Sequence, residues 1–378
     1  MQRPTNHLFM RLKRIPKKHL YEVLLTVGAL ALVGLLVALI SPYSPKQEYA
    51  FLDSGVSASS TLYRAQVKTA SETALTVILR DGPRKGSTFT IPYGESRNNE
   101  KPSPGASIIV FEDARSSALT FYDRYRIPGL LVLIALFIAV VLLVGRRKGA
   151  MSLAGLGASI VVIGWVIVPL VVAGYNSLLV SVLGAYLIAI VSILLAHGFH
   201  RRTLISLLCV LIVLVIVTIG SQAAVAILGL TGVVDDAGYY LQFDHAEIDL
   251  SGILVGGIVI AALGALDDIV TTQVATVDEL KKANKTLSVH ELYRRASSVG
   301  GEHIAALVNT LALVYVGAAL PVIVAYAVSN PRLFALFNGE FVATEITRTV
   351  IVSIGLVIAV PISTLIASLL IYRHFEKS

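Results

Sequence analysis

Eight stretches of this chain run apolar for about 18 residues or more, the length at which a helix can cross a bilayer core. They cover roughly residues 20–40, 127–144, 151–173, 178–196, 203–228, 252–270, 304–328 and 349–372. A soluble protein can hide one such segment in its core, but not eight. Composition agrees: 15% of residues are charged, against about 25% in soluble domains, and mean hydropathy is +0.77. A segment inside lipid must satisfy its own backbone hydrogen bonds, so the expected fold is an all-α polytopic membrane bundle of about eight transmembrane helices. The first run is too long for a signal-peptide core, and no small-x-small cleavage site follows it in ALISPYSP, so it reads as an uncleaved anchor. The fifth is long and carries Gly220, Ser221 and Gln222, which predict a tilt or a break.

The net charge of +7 would suit a nucleic-acid binder if the cations were clustered on one surface, but their placement encodes topology instead. Six Lys/Arg precede the first run, and others sit in alternate short loops as Arg146, Arg147, Lys148, Arg201, Arg202, Lys281, Lys282, Lys285, Arg294 and Arg295. The intervening loops GYN and TGVVDDAGYYLQFDHAEIDL contain no Lys or Arg. The positive-inside rule then puts both termini in the cytoplasm. Anionic lipid headgroups are a sufficient partner for the basic loops, and no nucleic-acid partner is expected. Residues 41–126 carry eleven Lys/Arg and yet lie outside, which the rule tolerates because long segments translocate largely regardless of charge.

Three parts are expected: a basic N-terminus with the first span (residues 1–41), an extracytoplasmic β-rich domain (42–126), and a seven-helix membrane domain (127–378). Strand-like stretches in the middle part are TLYRAQVKTA, ALTVILRDG, STFTIPYG, SIIVFEDA and ALTFYDRY. Asp81-Gly82-Pro83, Lys85-Gly86 and SRNNEKPSPG punctuate them as turns. Five short strands at this spacing predict a small barrel or sandwich, OB-like in plan. The single cysteine, Cys209, lies in the fifth run, so no internal disulfide is available.

Polar residues inside the apolar runs mark the candidate site. GALDDIVTTQ closes the sixth run, with Gly257, Ala261, Gly264, Asp268 and Thr271 on one helical face. Small residues favour helix–helix contact in membranes, so that face, with Asp268, is expected to point into the bundle. Asp267 is expected at the water edge, and Thr272 extends the polar set. The seventh run opens SVGGEHIAALVNT, where Glu302 and Asn309, and His303 and Thr310, each stand seven apart. Glu302 also suits a first helical turn, where an acid complements the helix dipole. Asn309 and Thr310 also suit hydrogen bonding between helices. Carboxylates with an imidazole can hold a divalent cation or relay a proton, but no spacing matches a zinc hydrolase, a catalytic triad or a P-loop. The identity of any metal is left open, and neither a cofactor nor an enzymatic activity is expected. At the start of the eighth helix, just before its apolar run, Glu345 and Arg348 can pair at i, i+3 as an exposed ion pair, while Pro361, like Pro321 in the seventh, predicts a kink.

These stretches carry a resemblance. GALDDIVTTQVATVDEL, EHIAALVNTLALVYVGAALP and TEITRTVIVSIGLVIAVP, with DGPRKG, YDRYRIPGLLVL and GRRKGAMSLAGL, resemble the YibE/F-like family of bacterial membrane proteins, of the actinobacterial kind. The resemblance implies a polytopic protein of the bacterial cytoplasmic membrane with an extracytoplasmic domain, and implies little about activity. The family pattern has Arg-Asp-His where this chain has Gly301-Glu302-His303, so the acid and imidazole are kept in type and the Arg is not.

Ionisable side chains facing a bundle interior are functional candidates by default. The leading expectation is therefore a transporter or permease for a small solute or ion, ion- or proton-coupled, with Asp268 as the central coupling or substrate carboxylate, Glu302, His303, Asn309 and Thr310 completing the site, and Asp267, Thr271 and Thr272 beside it. The alternative is a scaffold or sensor that acts through the β-domain, with a homo-oligomer or an extracytoplasmic protein as partner.

Overall fold

The computed structural model describes residues 61–93, 101–112, 117–329 and 332–375. The first apolar run and the expected N-terminal part lie outside the described residues, as do segments of three loops. The chain divides into two compact units, one within Ser41–Val140 and one from Val141 onward.

In the first unit the five expected strands form where the alternation puts them: β1 Thr61–Ala70, β2 Ala74–Leu79, β3 Thr88–Pro92, β4 Ser107–Glu112 and β5 Leu119–Arg124. All pairings are antiparallel in the order β3-β2-β1-β4-β5, and the sheet curls so that β3 approaches β5. Successive side chains of a strand point to opposite faces, so Leu75, Val77 and Leu79 of β2 all enter the core with Ala65, Val67, Ile91, Ile108 and Val110. Each large aliphatic buried there contributes about 1.5–3 kcal/mol. Gly82 turns the β2–β3 hairpin with φ +78°, and a Cβ there would stand 2.3 Å from the Tyr63 ring, so only glycine fits. At the end of β5, Arg126 pairs with Asp123, at 2.9 Å for Nη2–Oδ1, and holds that carboxyl below its ordinary range.

The second unit is helical. Helix α1, Ile127–Val162, crosses the division between the units at Val140 and leads through a π-helical turn, Ile163–Ile167, into α2, Val168–Val172. The second and third apolar runs are thus parts of one helical segment, broken at Arg146 (φ 48°, ψ −128°). A Cβ on Gly149 would lie 2.4 Å from the Val141 carbonyl oxygen. Eight residues of straight helix would separate these two by about 12 Å, so the chain bends sharply between them. The remaining helices are α3 Ser177–His197, α4 Arg201–Leu228, α5 Asp236–Asp244, α6 Leu250–Ala283, α7 Val289–Ser329, α8 Leu333–Asn338 and α9 Glu340–Phe375. Among the described residues six helical stretches are long and apolar enough to cross a bilayer: α1 with its continuation to Val172, α3, α4, α6, α7 and α9. The protein is a membrane protein.

Of the tilt or break expected at Gly220–Gln222, no break forms, since α4 runs unbroken there, and α7 and α9 continue through Pro321 and Pro361. The sixth and seventh runs lengthen into α6 and α7 of 34 and 41 residues, about 51 and 62 Å, well beyond an apolar core of about 30 Å. Their excess forms a polar hairpin. Lys281 Nζ donates to the Lys285 and Leu287 carbonyls, both at 2.8 Å, and Ser288 and Glu291 cap the start of α7 reciprocally. Arg202 binds Asp278 and Glu279, tying α4 to the same end. That end carries Arg201, Arg202, Lys281 and Lys282, while the opposite end carries the acidic loop before α6.

Helix α6 is the central one, packed against α3, α4, α7 and α9. Its buried face is Ile258, Val259, Ala262, Leu266, Ile269 and Val270. Close crossings rely on small residues: a Cβ on Gly256 would fall 2.1 Å from Ser181 Cβ of α3, and one on Gly300 would fall 2.4 Å from Val360 Cγ1 of α9. Apolar side chains left exposed, among them Leu183, Leu208, Val215, Leu313 and Val350, are the surface a bilayer would cover.

Candidate functional site

The faces of α6 are the reverse of those expected. Gly257, Gly264 and Asp268 are exposed, and Val259, Leu263, Leu266 and Val270, expected toward lipid, form the buried side. The physical reason is that both faces of a membrane helix are apolar, and here the bundle is filled mainly by branched aliphatics while Gly257 and Gly264 face outward. Asp267 is consequently the inward carboxylate, with its side chain 26% exposed, and Asp268 the outer one. Both lie well inside α6, which runs to Ala283, and not at its end. Asp267 stands seventeen residues after Leu250, about 25 Å along the helix, and so toward the basic end of the apolar layer.

Across from Asp267 is a residue the sequence reading passed over. His197, the last residue of α3, places Nε2 3.9 Å from Asp267 Oδ1. That gap is too long for a hydrogen bond, and Oδ1 is buried with no donor among the described residues. Two helices, 70 residues apart in sequence at this point, thus bring a carboxylate and an imidazole close enough to interact electrostatically. Thr271 turns its hydroxyl back onto the Asp267 carbonyl at 2.7 Å, and the Thr272 carbonyl accepts from Thr276, so both serve their own helix.

The residues expected from α7 stand elsewhere. Glu302 lies thirteen residues into the helix, and the first-turn acid is Glu291. Glu302, Asn309 and Thr310 are exposed and His303 is half-buried. Thr310 donates to Ala306 of its own helix at 2.9 Å. Among the described residues no three His, Cys, Asp or Glu side chains are grouped as a metal ion would need, so Asp268, Glu302 and His303 do not converge. The Glu345–Arg348 pair forms at 2.7 Å but is partly buried, against the expected exposed pair, while Pro321 and Pro361 are exposed.

A second polar contact inside the bundle joins three helices. The Gln273 amide of α6, only 3% exposed, donates to the Ala296 carbonyl of α7 at 2.8 Å and to Thr364 Oγ1 of α9 at 2.7 Å. Thr364 in turn donates to Val360 at 2.6 Å. Ser297 and Ser368, beside Ala296 and one turn beyond Thr364, bury hydroxyls that have no partner among the described residues. Gln273 stands in the quoted TTQ, and its signal was a long amide in an otherwise apolar helix.

No curated protein and no solved structure matches the chain. A family model described as YibE/F-like protein matches residues 133–373, more than half of the sequence and nearly all of the helical unit that holds Asp267, His197 and Gln273. The chain belongs to the YibE/F-like protein family.

Proposed function

We propose that the protein is a permease for a small solute or ion, coupled to ion or proton movement through the Asp267–His197 pair, with Asp268 at its exposed edge. The observation that carries this reading is the Asp267 carboxylate: half-withdrawn from solvent within a membrane-capable helix, one oxygen buried without a donor, and an imidazole 3.9 Å away. Ionisable groups in such segments cost about 2.5–3.5 kcal/mol at a helix centre, and a site that must exchange a charge is the usual reason to keep one. The basic end would face the cytoplasm of a bacterial cell, which follows from the distribution of Lys and Arg and puts the β-unit outside. The curled strand order supports an OB-like plan for that unit. Exposure of Asn309 within an apolar helix supports contact with a second copy of the chain. The reading assigns no catalysis.

Proteoliposomes loaded with a pH-sensitive dye test it. Under an imposed potassium potential the wild type should carry protons and Asp267→Asn should not. Equal flux in the two proteins would remove Asp267 from the path, and flux in neither would remove the proton as the coupled ion. One observation favours a scaffold or sensor instead: the β-unit has a hydrophobic core of its own, as a separate binding module would.

A further inference from the structure

A cavity of about 800 Å³ opens at the acidic end of the helical unit. It is bounded by the start of α3, the last turns of α4, the end of α5 and the first turn of α6. Sites for small organic ligands have volumes of about 300–1,000 Å³. Val225, Leu230, Ile248 and Val255 give it apolar walls. A carboxylate and two amides give it polar ones, and no Lys or Arg occurs anywhere between Arg202 and Lys281.

Asp249 is the only ionisable side chain among the described residues that line it. Its Oδ1 is occupied, accepting from Gly252 N at 3.1 Å and Ser251 Oγ at 2.7 Å as the N-cap of α6. Oδ2 has no donor among the described residues, and neither the Gln222 nor the Gln242 amide has a partner there. Gln222 is the polar interruption of the fifth apolar run, which neither helix packing nor the Asp267 pair employs. The loop above is held in place by Glu340 of α9, whose carboxylate accepts from Thr231 N, Thr231 Oγ1 and Gly232 N at 2.6, 2.7 and 2.9 Å. A fixed loop, apolar walls, two free amides and one half-free carboxylate make a compartment with net negative charge.

We infer that this cavity binds a small organic solute carrying an ammonium group. The cation sits against Asp249 Oδ2, the Gln222 and Gln242 amides take its polar substituents, and the apolar walls take its carbon skeleton. An anion is repelled by Asp249, and a neutral analogue gains the amide contacts but not the charge pair. This site stands apart from Asp267 and does not depend on any role for it.

The test uses the full-length protein in zwitterionic nanodiscs, with saturation-transfer NMR on butylammonium, butan-1-ol and butyrate against empty nanodiscs. Butylammonium should give a saturable signal, butan-1-ol a much weaker one and butyrate none above background. Asp249→Asn should weaken butylammonium binding by about tenfold, one charge pair's worth, while α6 keeps its cap, since Asn caps as well as Asp. Gln222→Leu, on an exposed helix position where folding is insensitive, should weaken it several-fold. Equal binding of the three compounds, no binding of butylammonium, or binding unchanged in Asp249→Asn and Gln222→Leu would each overturn the inference.

Discussion

Replacing Gln273 by Leu separates the polar contact of the bundle core from simple packing. The substitution keeps most of the side-chain volume and removes two hydrogen bonds, one to α7 and one to α9. Neither former partner is stranded. The Ala296 carbonyl remains within the α7 helix, and Thr364 still donates to the Val360 carbonyl. The penalty is therefore the two bonds themselves, without the added cost of orphaned groups. Interhelical hydrogen bonds in membrane proteins average about 0.6 kcal/mol each, which predicts a loss of about 1.2 kcal/mol, or about an eightfold shift in the unfolding equilibrium. Unfolding in mixed micelles, followed by circular dichroism, measures it for the wild type and Gln273→Leu. Thr364→Val alone should cost about half as much, and the double variant little more than Gln273→Leu. A loss above about 4 kcal/mol would refute the reasoning, because only an uncompensated buried group or a collapsed interface costs that much. A gain in stability would refute it from the other side.

Two further outcomes follow from the packing and the charges. Gly256→Val should destabilise the helical unit by at least about 1–3 kcal/mol, because its Cβ cannot coexist with Ser181 2.1 Å away; the same unfolding measurement checks this, and Gly257→Ala on the open face should be nearly neutral. In the β-unit, Arg126 lowers the Asp123 carboxyl below its unfolded value, so the pair stabilises the fold fully above the ordinary carboxylate range and loses this as pH falls through the lowered value. Protection factors of the β5 amides, taken against the intrinsic exchange rate at each pH, should therefore fall at acid pH in the wild type, and Arg126→Gln should flatten that dependence.

Most elements were readable from length and period. Each described apolar run is helical because about 20 apolar residues leave the backbone no other partner in lipid. The five strands follow from alternation bounded by Gly82 and Gly86. Which way a helix faces was not readable. In a soluble helix the polar side announces solvent, but α6 is apolar all round, so Gly257, Gly264 and Asp268 looked like a packing face and are exposed. The partner of Asp267 was hidden for another reason: His197 sits at a helix end beside Gly198, where histidine is unremarkable until α3 and α6 are seen to cross. That α6 continues through IVTTQVATVDEL was only an open alternative in the sequence, and the polar extension of α7 was missed, because hydropathy stops where the membrane does, whereas the helices continue on caps and ion pairs.

The most direct test of the pair's role is a double-mutant cycle on proton flux in proteoliposomes, with His197→Gln, Asp267→Asn and both together. If the two side chains act as one unit across α3 and α6, each single variant should lose most of the flux and the double variant should be no worse than either. Losses that multiply in the double variant, or full flux in His197→Gln, would contradict a shared site.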